Sequence, residues 1–428
     1  MVPSFRLVFP PHAWREQIPA IARVGGLGIA HLVRNFYQDT RELVVGHLRL
    51  VPPTVRGWQT GPLDDLLLIR CQARVEEGDA ERLLTSFASV PTQLVAGLVL
   101  GHGPASGQWV ASVWNDGRVH PVNGFTFVGP GMLRATREPE LPEKVEALER
   151  WSRTRGALGD EVWRKVRASR VAVVGAGRNG SVAALTLAML GARGLTLIDS
   201  DIEELHNLDA SVGGTPVGVG RPKVQNRAEF LQTIRPTDLE VEAIPQSVQN
   251  SRAVMALRGV DLVITCVDSD AARLTGASLA RIWGKVHLDI GTGIFGTGGD
   301  QQMGADVRLL LPGEACVSCL GGLRDSAEAE REPAAPPGTL RRGQRREWRQ
   351  QRAGSLLPLN QMAVNLGVKL WLELLGGGLL HSCWERLEWR NAVLDVRVED
   401  SARASCVLCR PDTLEGLPAD AGINPFDG

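Results

Sequence analysis

The sequence predicts an α/β protein: a Rossmann-like nucleotide-binding core on a mainly parallel sheet, preceded by a smaller α/β accessory domain. Three observations carry this. From residue 141 onward, short apolar runs alternate with segments of helical period, the pattern of strand–helix–strand crossovers. The apolar run Val171–Val174 leads directly into Gly175-Ala-Gly177-Arg178-Asn179-Gly180, a G-x-G-x-x-G turn placed between a strand and a helix. A polar stretch around Pro139 and Pro142 separates this region from residues 1–140, which read as a mixed or mostly β unit.

In that first unit, strands are expected at Glu42–Val51, Leu66–Ala73, Leu94–Leu100, Gln108–Trp114 and Phe125–Val128, and helices at Trp14–Val24 and Asp79–Ala88. In the core region, helices are expected at Val145–Trp151 and Asp160–Arg167 ahead of the Val171–Val174 strand. Gly180–Leu190 follows as a helix, then a strand at Leu195–Asp199, a helix at Val224–Thr233 and a strand at Leu239–Ile244. Leu262–Cys266 reads as a buried strand, Ala271–Trp283 as a helix and Val286–Ile290 as a strand.

The alternation stops at residues 324–355, where Pro333, Pro336 and Pro337 precede six arginines between Arg341 and Arg352. Like-charge blocks of this kind form solvated loops. A strongly apolar helix at Leu359–Leu375 and one or two strands within Trp384–Val398 follow. The expected domains are therefore 1–140 (accessory), 141–323 (nucleotide-binding core), 324–355 (crossover loop) and 356–428 (C-terminal helix, strands and tail).

Composition narrows the function. Forty-seven Lys+Arg balance 48 Asp+Glu, which argues against a nucleic-acid binder or an electrostatic membrane anchor. With 43% apolar residues the chain can build a core, and 48 glycines with 25 prolines suit a loop-rich enzyme. No apolar stretch reaches the 18 or so residues of a membrane helix, and Met1–Gln17 lacks a signal peptide's apolar segment, so a cytoplasmic location is expected.

The glycine turn lets the backbone approach a phosphate at a helix N-terminus, where N–H donors and the positive dipole end converge. Asp199 ends the next strand, 19 residues after Gly180, where a carboxylate would hold ribose hydroxyls. These features alone point to a dinucleotide, NAD(P) first. Lys223, in Gly220-Arg221-Pro222-Lys223, and Asp268, just past the Leu262–Cys266 strand, turn the reading towards nucleotidyl transfer. A lysine neutralises charge on a transferring phosphate and a carboxylate holds Mg²⁺ on it, whereas a dehydrogenase has no standard use for the pair.

The stretch from about 145 to 411 resembles the ThiF/MoeB/HesA group, adenylating enzymes related to ubiquitin-activating enzymes. The resemblance is carried by Arg150-Trp-Ser-Arg153, Gly175–Gly180, Asp199-Ser-Asp201, Asn207-Leu208, Arg221-Pro-Lys223, Cys266-Val-Asp268 and two CxxC pairs, in the family's order. It implies a ThiF-type adenylation domain in which ATP adenylates the C-terminal glycine of a ubiquitin-like protein and releases pyrophosphate. By position, Gly175, Gly177, Gly180, Asp199 and Asp201 would form the nucleotide site. Asp199 would hold the ribose, Asn207 and Lys223 the phosphates, Asp268 a magnesium ion, and Arg153 would act as an arginine finger reaching a partner subunit, which implies a homodimer. The family's arginine three residues past its motif Asn is replaced here by Ala210; Arg178 in the glycine loop is expected to supply the lost charge.

Cys316-Val-Ser-Cys319 and Cys406-Val-Leu-Cys409, 86 residues apart, form two knuckles that together complete a structural Cys₄ zinc site; two redox dithiols are the rival reading. Family members that form a thioester carry a cysteine after the first zinc pair, and residues 320–382 contain none. Among Cys71, Cys266 and Cys383, Cys383 is the weak candidate nucleophile. The chemistry is thus expected to stop at the acyl-adenylate, passed to a thiol on a conjugating enzyme or a sulfur-transfer partner. Alternatives are sulfur-carrier activation for a thiamin- or molybdopterin-type cofactor and a non-catalytic scaffold. Gly97–Val128 resembles JAB-like domains fused ahead of bacterial ThiF-type proteins but lacks the H-x-H-P…S…D motif, implying an inactive recognition or dimerisation module. That fusion points towards a conjugation operon of the antiviral kind.

Overall fold

The Val171–Val174 run is apolar on both faces because it lies in mid-sheet. In the computed structural model, β10 (Arg170–Val174) pairs in parallel with β11 (Gly194–Ile198) on one side and β13 (Leu262–Thr265) on the other. The structure describes residues 5–24, 27–37, 40–46, 48–51, 65–85, 94–101, 108–115, 117–136, 149–295, 302–323, 355–389, 393–398, 402, 406 and 408–409. With β12 (Glu240–Ile244), β14 (Val286–Phe295), β15 (Gln302–Leu310), β16 (Cys383–Glu388) and β17 (Val393–Val398), they form an eight-stranded sheet in the order β12-β11-β10-β13-β14-β15-β16-β17. The first five strands are parallel and the rest antiparallel.

The helices Arg178–Leu190, Lys223–Ile234 and Asp270–Ile282 fall where the alternation predicts them. In this region the sequence reading did not anticipate the helix Ser152–Leu158, the helix Ser251–Leu257, capped by the Asn250 side chain on the Arg252 N–H, or β15. Glycine weakens a strand, and Gly291, Gly293 and Gly304 disguise the continuation of β14 and the strand β15 in the sequence. Pairing along the whole hairpin, from His287–Leu310 to Phe295–Gln302, overrides that local preference. The apolar helix Leu357–Gly376 buries Leu359, Val364, Trp371 and Leu374 and packs on β14 and β15.

Contacts divide the chain into two units, residues 1–141 with 282–284 and 410–428, and residues 142–281 with 285–409. In the first, β1 (Phe5–Phe9) pairs in parallel with both β3 (Thr40–Val45) and β8 (Arg118–Phe127), so the sheet closes on itself through β2 (Leu27–Tyr37), β5 (Leu66–Cys71), β6 (Leu94–Leu100) and β7 (Trp109–Asn115). The short strands β4 (Arg49–Val51) and β9 (Arg134–Thr136) pair with β2 and β8. Its interior holds Phe5, Phe9, Phe125 and Phe127 among aliphatic side chains. The strands β1 and β2 lie ahead of the first expected strand. Most of the expected Val145–Trp151 helix, the Arg/Pro-rich residues 324–354 and the tail after Cys409 lie outside the described residues.

Candidate nucleotide cleft and four-cysteine knuckle

The C-terminal ends of the parallel strands open into a cleft of about 770 Å³, the place where open α/β sheets take ligands. Gly175 leaves β10 at φ +93°, and a Cβ there would stand 2.6 Å from the Cys266 carbonyl oxygen; at Gly180 it would meet the Gly175 carbonyl at 1.7 Å. Only glycine permits this turn against the helix Arg178–Leu190, whose N-terminus no side chain caps. Gly175, Gly177, Arg178, Asp199, Asp201, Asn207, Lys223 and Asp268 all line the cleft.

Asp199 accepts the Ala176 N–H at 2.7 Å and the Asp201 N–H at 2.8 Å. Burial pushes its carboxyl above the ordinary range, with Lys223 pulling the other way. Lys223 Nζ donates to Asp201 Oδ2 at 2.8 Å. Burial opposes its charge, yet Asp199 and Asp201 outweigh this and hold the ammonium above its usual pKa. Asn207 Oδ1 accepts the Glu204 N–H at 2.9 Å, closing a short 3₁₀ turn. Behind that turn Glu203 and Arg227, both buried, pair at 2.6 Å.

Arg178 Nη2 donates to both carboxylate oxygens of Asp209, at 2.8 and 3.0 Å, and its Nη1 donates to the Ser355 carbonyl at 2.6 Å. Ala210 is buried, so the place that carries arginine in the resemblance is occupied by packing here. Asp268 is exposed on the turn before the helix Asp270–Ile282. Ser269 Oγ, not Asp268, takes the Ala272 N–H of that helix. Arg153 is exposed on the helix Ser152–Leu158 and does not line the cleft. Its neighbour Trp151 is buried, donates to the Met189 carbonyl at 2.9 Å, and is stacked by Arg167 and Arg235.

Sequence reasoning missed three further lining residues: Arg273 and Arg308, which lie beside the buried Asp289, and Thr292, which is hydrogen-bonded to Asn179 and Ser355. The three cysteines outside the CxxC pairs are poor nucleophiles. Burial pushes the Cys266 thiol far up and holds Cys71 near 11 and Cys383 near 12.

Cys316, Cys319, Cys406 and Cys409 are buried, and their sulfurs all lie within 4.8 Å of one another. Cys316 and Cys406 sulfurs are 3.5 Å apart, Cys319 and Cys409 3.8 Å, and Cys316 and Cys319 3.9 Å. Four Zn–S bonds of about 2.3 Å in a tetrahedron place sulfurs about 3.8 Å apart. The donor set therefore fits a closed structural zinc site.

A glycine-loop cleft over a parallel sheet, with a four-cysteine knuckle on the same unit, defines a Rossmann-like α/β domain. Residues 151–344 match the ThiF family. It is 30% identical to the SAMP-activating enzyme E1 of Haloferax volcanii over 177 residues, 40% of this chain and 62% of that protein. To the adenylyltransferase and sulfurtransferase MOCS3 of Arabidopsis thaliana it is 32% identical over 117 residues, 27% of this chain and 25% of that protein. The chain thus spans less than two thirds of the length of these relatives. Among solved structures, E. coli MccB with succinimide aligns at a TM-score of 0.47 and 16% identity over 61% of this chain and 74% of that one. Among the described residues no helix is long and apolar enough to cross a membrane.

Proposed function

We propose that this chain adenylates the C-terminal glycine of a ubiquitin-like protein with ATP. A carboxylate oxygen of the glycine attacks the α-phosphorus, the bond to the β-phosphate oxygen breaks, and pyrophosphate leaves. The observation that carries this reading is the meeting of Lys223 and Asp268 with the glycine loop in one cleft. Asp199 orients the ribose, Asn207 and Lys223 hold phosphate oxygens, and Arg178 adds a guanidinium at the loop. Mg²⁺ on Asp268 would neutralise phosphate charge, which lowers the barrier where negative charge develops. Zn²⁺ in the cysteine knuckle would tie the tail to the sheet.

Cys71 and Cys383 are buried, and the thiol of the half-buried Cys266 is pushed far up, which supports direct hand-over of the adenylate to a thiol on a conjugating enzyme or sulfur-transfer partner. The reading extends to a cytoplasmic homodimer in an antiviral conjugation system, with residues 1–140 as an inactive JAB-like recognition module. Its test is ATP–pyrophosphate exchange with a panel of glycine-terminated ubiquitin-like proteins. Exchange that appears only with such a protein supports it; a nucleotide-binding protein that exchanges with none of them, sulfur carriers included, overturns it.

A further inference from the structure

Asp289 has no solvent exposure and is bracketed by two guanidinium groups. Arg308, its partner across the antiparallel β14–β15 register, donates to Oδ2 at 3.0 Å, and Arg273 Nε lies 2.9 Å from Oδ1. Thr265 Oγ1 donates to Oδ1 at 2.8 Å. A carboxylate taken wholly out of water requires partners of this kind.

The remaining donors lead in two directions. Arg308 Nε donates to the Leu320 carbonyl at 3.0 Å, and its Nη2 reaches that of Gly321 at 3.4 Å. Arg273 Nη1 donates to the Gly322 carbonyl at 2.9 Å. These carbonyls directly follow Cys319, on a turn held by the Leu320 N–H on the Cys316 carbonyl and the Gly322 N–H on that of Val317. In the other direction, Arg273 Nη2 donates to the Val267 carbonyl at 2.8 Å, the residue before Asp268. A guanidinium is planar with its donors in a fixed fork. A shift of the carbonyls at 320–322 therefore disturbs the contacts at Asp289 and Val267.

We propose that Arg273 and Arg308 are positioning residues that couple the four-cysteine knuckle to the Val267–Asp268 turn, so that the metal-bound knuckle sets the geometry of the cleft as well as anchoring the tail. The consequence for nucleotide rests on the function proposed above; the coupling does not.

Amide hydrogen exchange of the full chain, zinc-loaded and chelator-stripped, tests it. In the wild type, stripping should speed exchange at residues 266–270 roughly tenfold along with residues 314–323, while β10 stays protected. In Arg273→Ala the amides at 266–270 should already exchange fast and stripping should add little. Arg308→Lys, kept zinc-loaded, is the sharper variant because Arg308 does not touch Val267. It should also speed exchange at 266–270, and it decides the matter should stripping open β10. The proposal is overturned by changes confined to 314–323 and 402–409, by no change at 266–270 in loaded Arg308→Lys, or by a protein that takes up no zinc. MgATP titration of the same samples separates the two ideas: intact coupling without ATP binding to the loaded wild type rejects the nucleotide reading alone.

Discussion

Lys223 Nζ donates to Asp201 Oδ2 at 2.8 Å while its side chain is only 10% exposed. The lysine is thus kept charged and aimed by two carboxylates, Asp199 and Asp201, before any phosphate arrives. A preorganised cation of this kind needs no rearrangement when charge develops on a transferring phosphate. Lys223→Met should therefore reduce pyrophosphate exchange by roughly 10²–10³, the cost of about 2.7–4 kcal/mol for one lost preorganised donor. It also leaves the half-buried Asp199 without its counter-charge, so a lower melting temperature is expected. Exchange within threefold of wild type would remove Lys223 from the site.

Asp268 separates chemistry from folding better, because it is exposed and Ser269 does the helix capping beside it. Asp268→Ala should abolish measurable exchange with a melting temperature close to wild type, since surface substitutions usually move stability by no more than about 0.5 kcal/mol. Steady-state exchange at saturating Mg²⁺ and a thermal melt on the same preparation check both halves.

His287 reports on the buried network from the other side. Its Nε2 lies 2.9 Å from Thr265 Oγ1, whose own proton goes to Asp289, so Nε2 carries the ring hydrogen. Burial holds its pKa down at about 4. The unfolded chain takes up this proton near pH 6.5 and the folded chain does not. Stability is then complete above about pH 6.5 and falls as the pH drops towards 4, by roughly 3 kcal/mol for this group. His287→Gln should flatten that part of the curve. Denaturant unfolding of both proteins at pH 7 and pH 5 measures the difference, and identical slopes would refute it.

The glycine-loop end of the cleft was legible in the sequence because its signals are local. Gly175–Gly180, Asp199 and Asp268 follow the ends of parallel strands and Lys223 opens the next helix, so the order of these elements brings them together. The CxxC pairs were legible for a similar reason: a two-residue gap marks a ligand knuckle wherever it folds. Asp289, Arg273 and Arg308 carry no such mark. They meet only through the β14–β15 register, and β15 was itself hidden by glycine. The Glu203–Arg227 pair was equally silent, since a buried ion pair 24 positions apart in sequence has no periodicity to betray it. Trp151 was noted as part of a motif, yet its place is in the core, under Arg167 and Arg235.

On the proposed reading, the role of Arg153 depends on a second chain. It precedes Gly175 by 22 residues, is exposed, and does not line its own cleft. Trp151, two residues earlier, is fixed by its bond to the Met189 carbonyl, so the helix carrying Arg153 starts from an anchored point. A guanidinium presented this way suits a finger acting on a neighbour's site, where it would stabilise transition-state charge as arginine fingers do in phosphoryl transfer. The competing role is a surface ion pair of little energetic weight. Mixing Arg153→Ala chains with Asp268→Ala chains separates them. Each parent should be inactive in exchange; after subunit exchange, a mixed dimer holds one site with both an intact Asp268 and an intact Arg153 across the interface. Activity should then return to as much as half of the wild-type value per mixed dimer. A mixture that stays as inactive as its parents, with subunit exchange verified by differently tagged chains, rules out a finger in trans. Full activity of Arg153→Ala alone would leave Arg153 only its surface role.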